Sequence, residues 1–290
     1  MSSFSFILTE ECDWNCDYCA FSGVEHPMKA QMSVYQAHLP YIKRVMDRLN
    51  KKDLLVNIDI QGGEVGLIDL DILKYFFNTI ALTINVSTNG EFLRRGYHHC
   101  PDIRKHLGTI MWHVKDDIFP AEVIKDYHDS DIYISRGIVH NNVDEIVNFV
   151  CTNHHILFDY IEFEFDIRES REMDIEMYHD LLNKLEGVEN ITWNAWQILK
   201  GRITERKDHR NNCCKFNHSI MIDLANETLC FCQRQPRINI PLSKKNLIYR
   251  LTTFPKDIWD WTTCDSCTRL YSGKFQGNVI ERALRTRRLF

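Results

Sequence analysis

Three cysteines near the start of the chain have a spacing that could hold a metal centre. Cys12, Cys16 and Cys19 form a C-x3-C-x2-C pattern directly after the apolar run Phe4–Leu8. Three thiolates can bind three irons of a cubane [4Fe–4S] cluster and leave the fourth iron without a protein ligand. Such an open position lets a cofactor or substrate bind the metal. A structural zinc site, with His26 or a distant cysteine as fourth ligand, is the alternative.

Two later segments carry polar groups where further apolar runs end. Gln61-Gly62-Gly63-Glu64 combines glycines, which allow close approach of the backbone to a ligand, with a carboxylate that can accept from an ammonium group. Ser87-Thr88-Asn89-Gly90 is typical of a turn that closes a strand. We therefore predict that both segments lie near the cysteines.

The hydrophobic pattern predicts the elements that position these residues. Apolar and β-branched runs predict strands over 4–8, 54–60, 81–86, 109–114, 132–139 and 160–165, with a further strand near 191–196. Helical spacing predicts helices over 32–49, 70–78, 121–127, 143–150 and 175–185. Repeated βα units imply a parallel sheet, so we predict an α/β fold with a partial (β/α)6 TIM-like barrel and its site at the carboxyl ends of the strands.

The chain resembles the radical S-adenosylmethionine (radical SAM) superfamily in the order of these motifs. The cysteines follow the first predicted strand, the glycine motif follows the second, and Ser87–Gly90 ends the third. The resemblance implies that Cys12, Cys16 and Cys19 ligate the catalytic cluster. It also implies a SAM-binding set, in which the glycine motif takes the methionine amino end and the aromatic residue lies beside the adenine: Tyr18, Gly62, Gly63, Glu64, Ser87 and Asn89. Two positions depart from the family pattern, with Val65 where proline is common and His113 where a serine is common.

The same resemblance implies a reaction. One electron from the reduced cluster cleaves SAM, and the 5′-deoxyadenosyl radical takes hydrogen from a peptide or small-molecule substrate, as in maturases and dehydrogenases. An electron donor such as flavodoxin or ferredoxin is expected. Because Cys12 lies so near the first residue, we expect any peptide recognition to come from a separate protein or from docking on the barrel mouth. The alternatives are a zinc-stabilised binding module without catalysis and an RNA-modifying radical SAM enzyme.

A second group of cysteines follows the predicted barrel. The polar stretch 200–212 predicts a boundary between a core at 1–199 and an extension at 200–290, and Ser219–Asp223 with Thr228–Cys232 predicts a β-hairpin. The extension resembles the Twitch domain, a shortened SPASM domain with one auxiliary [4Fe–4S] cluster. The expected ligands are Cys214, Cys232, Cys264 and Cys267, with Cys213 and Cys230 as alternatives within each close pair and zinc as the alternative metal.

Composition narrows the function classes. The net charge is −5, and no basic block precedes the arginines near the end of the chain, so a nucleic-acid partner is not expected. No apolar stretch is long enough to predict a membrane span, and the first residues lack a signal-peptide pattern. We therefore expect a cytoplasmic enzyme without a membrane partner.

Overall fold

The computed structural model describes residues 2–16, 19, 21, 24–114, 133–163, 175–204, 219–230 and 239–252. Strands and helices alternate through most of this part. The strands are β1 (Ser2–Ile7), β2 (Leu55–Gln61), β3 (Ile84–Thr88), β4 (Leu107–His113), β5 (Ile134–His140), β6 (Tyr160–Phe163), β7 (Ser219–Asp223), β8 (Thr228–Cys230) and β9 (Asn239–Pro241). The helices are α1 (Met32–Asn50), α2 (Leu70–Ile80), α3 (Glu91–Arg94), α4 (Pro101–Arg104), α5 (Val143–Thr152), α6 (Ile175–Lys184), α7 (Trp193–Thr204) and α8 (Lys244–Thr252).

Among the described residues, all nine strands belong to one open sheet in the order β6-β5-β4-β3-β2-β1-β7-β8-β9. Strands β1 to β6 run parallel to their neighbours, and β7 is parallel to β1 on its other side. Strands β8 and β9 continue antiparallel. The α/β fold with a partial barrel of six parallel strands is therefore confirmed.

One face of the sheet is buried against helices. Phe4 and Phe6 of β1 pack with Phe76 of α2 and Leu39 of α1 in one core, because their side chains share a face at every second residue. Helix α1 places six side chains at helical spacing on this core, and all six are fully buried: Tyr35, Leu39, Ile42, Val45, Met46 and Leu49. Burial of such side chains stabilises the fold by about 1.5–3 kcal/mol each. Within the described helices, none is long and apolar enough to cross a bilayer.

The segment predicted as a last strand, 191–196, is different in the structure. Ile191 makes only an isolated bridge with Phe158, and α7 begins at Trp193. The reason is local: the hydroxyl of Thr192 accepts from the Ala195 amide at 3.2 Å, so a cap starts a helix where a strand would continue. Helix α7 also runs across residue 200, the predicted domain boundary.

The predicted hairpin is present and extends the barrel sheet. Strand β7 pairs with β1 from Ser3 to Ile7, and β8 pairs with β7 across the turn after Asp223. Strand β7, the first described element after α7, therefore lies directly beside β1, the strand that leads into the loop with the first cysteines. The division at 199/200 stays a prediction, and the predicted helix at 121–127 lies outside the described residues.

Candidate functional site

The cysteine loop, residues 10–28, begins and ends at the same place. Thr9 and Lys29 form an antiparallel bridge where the loop closes. The amide of Glu10 donates to the Met28 carbonyl at 2.8 Å, and the amide of Met28 donates to Glu10 Oε2 at 2.9 Å. These bonds fix the loop at its neck, so the described cysteines are held just beyond the carboxyl end of β1.

Within the loop, Cys12 is exposed, and Cys16 and Cys19 are half-buried. The Cys19 amide donates to the Cys16 carbonyl at 3.0 Å, which forms a turn, and the Trp14 amide points at Cys12 Sγ from 3.4 Å. Partial desolvation raises the pKa of the Cys12 thiol to about 11, opposed by the Trp14 amide and reinforced by the Glu64 carboxylate. A thiolate at this position therefore needs a compensating cation. Tyr18, the expected adenine neighbour, lies outside the described residues.

The glycine turn, residues 61–66, lies against the cysteine loop. The Gly63 amide donates to the Thr9 carbonyl at 2.8 Å, and the Glu64 amide donates to the Glu11 carbonyl at 2.7 Å. A Cβ at Gly63 would lie 2.2 Å from the Glu11 carbonyl oxygen, and Gly62 has a φ of +122°. The close approach that the glycines allow is thus an approach to the chain itself.

Glu64 is only 2 % exposed, and its carboxylate joins the glycine turn to the end of β3. Its Oε1 accepts from the Gly66 amide at 2.7 Å, the Thr88 hydroxyl at 2.7 Å and the Phe92 amide at 3.2 Å. Its Oε2 accepts from the Asn89 amide at 2.7 Å. Burial raises the pKa of Glu64, and these hydrogen bonds act in the opposite direction. The carboxylate therefore has a positioning role within the protein, whichever ligand it meets.

Asn89 connects the end of β3 to the cysteine loop. Its Nδ2 donates to Asp13 Oδ1 at 2.5 Å and lies 3.9 Å from Cys12 Sγ. Its Oδ1 accepts at 3.1 Å from the amide of Glu91, the first residue of α3. Arg94 of that helix lies 3.5 Å from the Asp13 carboxylate. The turns after β2 and β3 thus meet the loop after β1, as predicted from the parallel order of the strands.

Two further polar residues lie at this edge of the sheet: the predicted Ser87 and the unpredicted Gln61. Ser87 is half-buried and pairs with Met111 in the parallel register of β3 and β4. Gln61 Nε2 is buried and has no hydrogen-bond partner among the residues that the structure describes, so the last residue of β2 has a donor that a ligand could use. In the sequence, Gly62 and Gly63 clearly mark a turn, whereas a glutamine at the end of a strand has no distinctive pattern. Only the register of β2 beside Ile7 shows that Gln61 lies next to the cysteine loop.

His113, at the end of β4, contacts a tyrosine from β6. The two rings are hydrogen-bonded, with 3.3 Å between His113 Nδ1 and the Tyr160 hydroxyl oxygen. A Cβ at Gly137 of the intervening strand would lie 2.3 Å from the Tyr160 ring, so glycine is required for this contact. His113 and Tyr160 therefore form a polar pair at the end of the sheet away from β1.

A second turn contacts the cysteine loop from the opposite side of β1. In this hairpin turn, residues 223–227, the Leu224 amide donates to the Ile7 carbonyl at 2.8 Å. Asn226 Nδ2 donates both to Asp223 Oδ2 at 2.9 Å and to Glu10 Oε1 at 2.8 Å. Burial raises the pKa of Asp223, which is 5 % exposed, and the bonds from Asn226 act in the opposite direction.

The structure describes only one cysteine of the second set. Cys214, Cys232, Cys264 and Cys267, with the alternative Cys213, lie outside the described residues, and Cys230 is the last residue of β8. Within the described ranges, no three His, Cys, Asp or Glu side chains are close enough together to hold one metal ion. The described residues therefore show no assembled ligand set, either for the zinc site considered for Cys12, Cys16, Cys19 and His26 or for a cluster at these cysteines. In a cubane cluster each thiolate binds a different iron, so its ligands need not converge on one point.

Comparisons with known proteins add a fold relationship. No protein-family model matches the chain, and no curated protein matches it in sequence. Among solved structures, SuiB from Streptococcus suis bound to S-adenosylmethionine matches 98 % of this chain and 68 % of its own, with a TM-score of 0.52 at 11 % identity. The chain shares the fold of SuiB. BtrN in complex with AdoMet and 2-DOIA aligns over 84 % of this chain and 77 % of its own at 11 % identity, and its TM-score of 0.37 is too low to carry an argument.

Proposed function

We propose that this protein is a radical SAM enzyme whose catalytic cluster is held by Cys12, Cys16 and Cys19. The observation that carries the proposal is the meeting of the loop bearing these cysteines with the glycine turn after β2 and the Asn89 turn after β3. The fold shared with SuiB, whose structure contains S-adenosylmethionine, supports it. A bound [4Fe–4S] cluster would supply the electron that cleaves SAM reductively.

The side chains at the carboxyl ends of β1, β2 and β3 are of types that could bind a cluster and SAM. Three cysteines of one loop leave the fourth iron of a cubane without a protein ligand. Gln61 Nε2 is a buried donor without a partner in the described part of the chain, and it lies at the end of β2 next to the loop. Asn89 and Asp13 bring a hydrogen-bonded polar pair beside Cys12. These groups would orient SAM, and the glycine turn would hold the loop that presents the cluster.

We further propose the finer features of the function. The C-terminal cysteines Cys214, Cys232, Cys264 and Cys267 would hold an auxiliary cluster of Twitch type, because Cys232 follows the last residue of hairpin strand β8 by two positions in the sequence. The substrate would be a peptide or a small molecule, modified in the manner of a maturase or a dehydrogenase. An electron donor such as ferredoxin or flavodoxin would be needed, and a peptide substrate would be presented by a separate recognition protein.

Metal analysis and SAM cleavage test the proposal. Anaerobically reconstituted protein should contain about eight irons if two four-iron clusters form, and a triple Cys12, Cys16, Cys19→Ala variant should retain about half. With SAM and a strong reductant, the wild-type protein should release 5′-deoxyadenosine and the triple variant should not. Cys151→Ala is the matched control, since Cys151 is exposed on α5 and belongs to neither cysteine set. Stoichiometric zinc with no iron in the wild-type protein would refute the proposal.

A further inference from the structure

The neck of the cysteine loop is held by a residue of the C-terminal hairpin. Glu10 stands at the neck and uses its two carboxylate oxygens for different partners. Its Oε2 accepts from the Met28 amide at 2.9 Å, which closes the loop, and its Oε1 accepts from Asn226 Nδ2 at 2.8 Å. One carboxylate therefore links the closing bond of the loop to a side chain located 216 residues further along the chain.

Asn226 is itself fixed within the hairpin turn. Its amide donates to Asp223 Oδ1 at 3.0 Å, and its side-chain amide donates to Asp223 Oδ2 at 2.9 Å. Asp223 ends β7 and is buried beside β1, while the next amide, of Leu224, donates to the Ile7 carbonyl. A rigid turn thus presents one Nδ2 to two carboxylates. Such charge-assisted bonds are stronger than neutral ones and depend on geometry.

We infer that Asn226 is a positioning residue for the cysteine loop and that it ties the hairpin leading to the second cysteine set to the neck of the first. The contact between Asn226 and Glu10 does not depend on the proposed function. Only the identity of the group that the loop positions, the catalytic cluster, rests on that proposal. Strand β8 runs from this turn to Cys230, in register with β7 through Met221. If the hairpin of β7 and β8 moved, the movement would therefore be transmitted to the loop of the first cysteines through Asn226 and Glu10.

Hydrogen–deuterium exchange of the full, metal-free chain tests the contact without any activity. In Asn226→Ala, the amides of Glu10 and Met28 should exchange about tenfold faster, the change expected when one charge-assisted hydrogen bond is lost. Asn226→Asp keeps the size of the side chain but faces Glu10 and Asp223 with a third carboxylate, so its effect should be larger. Asn246→Ala is the control, because that amide donates to the Pro241 carbonyl at 2.8 Å within the same C-terminal segment.

Coupling between the two residues gives a second readout. Glu10→Ala and the Glu10→Ala, Asn226→Ala double variant should show the same exchange at Met28, because either change breaks the same link. In reconstituted protein, Asn226→Ala should keep its iron but bind SAM several-fold more weakly, with an altered response of the cluster's electron paramagnetic resonance spectrum to SAM.

Two results would overturn the inference. One is an exchange profile of the loop in Asn226→Ala and Asn226→Asp that equals that of the wild-type protein. The other is a uniform rise in exchange that includes the buried helix α2, which would mean general destabilisation. Both are read in metal-free protein, so they are independent of the iron and SAM measurements that decide the proposed function.

Discussion

The glycine turn and the hairpin turn hold the same loop from opposite sides of β1, by different means. The glycine turn bonds through main-chain groups of Gly63 and Glu64 and leaves no room for a side chain at Gly63. The hairpin turn adds an exposed side-chain bond from Asn226 to Glu10. Main-chain contacts without free space are rigid, whereas an exposed side-chain contact can form and break at small cost. The glycine turn therefore fixes the position of the cysteine loop, and the hairpin turn allows small changes in that position.

Both turns also contain a buried carboxylate that accepts main-chain amides. Glu64 joins two turns of neighbouring strands, and Asp223 organises only its own turn. Because Glu64 accepts hydrogen bonds from both turns, a substitution of Glu64 should disturb β2, β3 and α3 together. The predictions below separate the two turns, beginning with the largest expected effect.

Gly63→Ala should damage the protein most. The new Cβ would lie 2.2 Å from the Glu11 carbonyl oxygen and 2.7 Å from the Glu10 carbonyl carbon, so the main chain of the cysteine loop must move. We expect a loss of about 3 kcal/mol in the free energy of unfolding, measured in urea, at the upper end of overpacking costs. Gly187→Ala is the control: Gly187 has a φ of +83°, and no described residue would lie within 4 Å of the new Cβ, so this variant should lose only about 1 kcal/mol. Equal losses in both variants would contradict the close contact at Gly63.

Glu64→Gln should be the next most harmful change. Either placement of the amide leaves an NH2 group facing main-chain or hydroxyl donors, and a buried unsatisfied group costs about 1–3 kcal/mol. Urea unfolding should show this loss, and SAM binding should weaken because the glycine turn and Asn89 lose their common acceptor. Glu91→Gln is the matched control, since Glu91 pairs with the solvent-exposed guanidinium groups of Arg94 and Arg95 near the surface, where such pairs are worth about 0–1 kcal/mol. A Glu64→Gln protein as stable as this control would show that the carboxylate network is unimportant.

Asp223 should give the stability of the protein a pH dependence. Burial raises its pKa in the folded state, so the folded protein binds this proton more readily than the unfolded chain. The stabilisation is fully present below the unfolded pKa of about 3.9 and is lost as the pH rises through the higher folded pKa. Asp223→Asn should flatten that part of the curve of unfolding free energy against pH. An unchanged slope would mean that Asp223 is ionised alike in both states.

Glu227 should show the smallest effect. It has a φ of +51°, a conformation that favours glycine, and its Oε2 lies 2.9 Å from His38 Nε2 on α1. Glu227→Gly removes the strain and the contact together, so the free energy of unfolding should change by less than about 1 kcal/mol. Glu227→Ala loses the contact and keeps the strain, so it should be the less stable of the two in thermal melts. The reverse order would show that the strain at this φ is smaller than the conformational entropy that glycine adds to the unfolded chain.

Much of the fold could be predicted from the sequence. The six parallel strands and the helices α1, α2, α5 and α6 follow from the spacing of apolar residues, which is a local property. The strand expected at 191–196 was wrong, because Thr192 caps a helix and a single side-chain hydrogen bond decides between the two structures. The residues of the glycine motif could be found because glycines at the end of a strand are conspicuous, whereas Asn226 and Gln61 carry no such local signal.

By itself the sequence determined the alternation of strands and helices and the cysteine spacing that suits a metal cluster. Only the tertiary structure decided what the conspicuous residues do: the two glycines make room for the cysteine loop, and Glu64 receives hydrogen bonds from its own chain. It also decided that β7 lies beside β1, which brings Asn226 to Glu10. The physical reason is that strand order and register join residues far apart in the chain, and such contacts leave no periodic trace in the sequence.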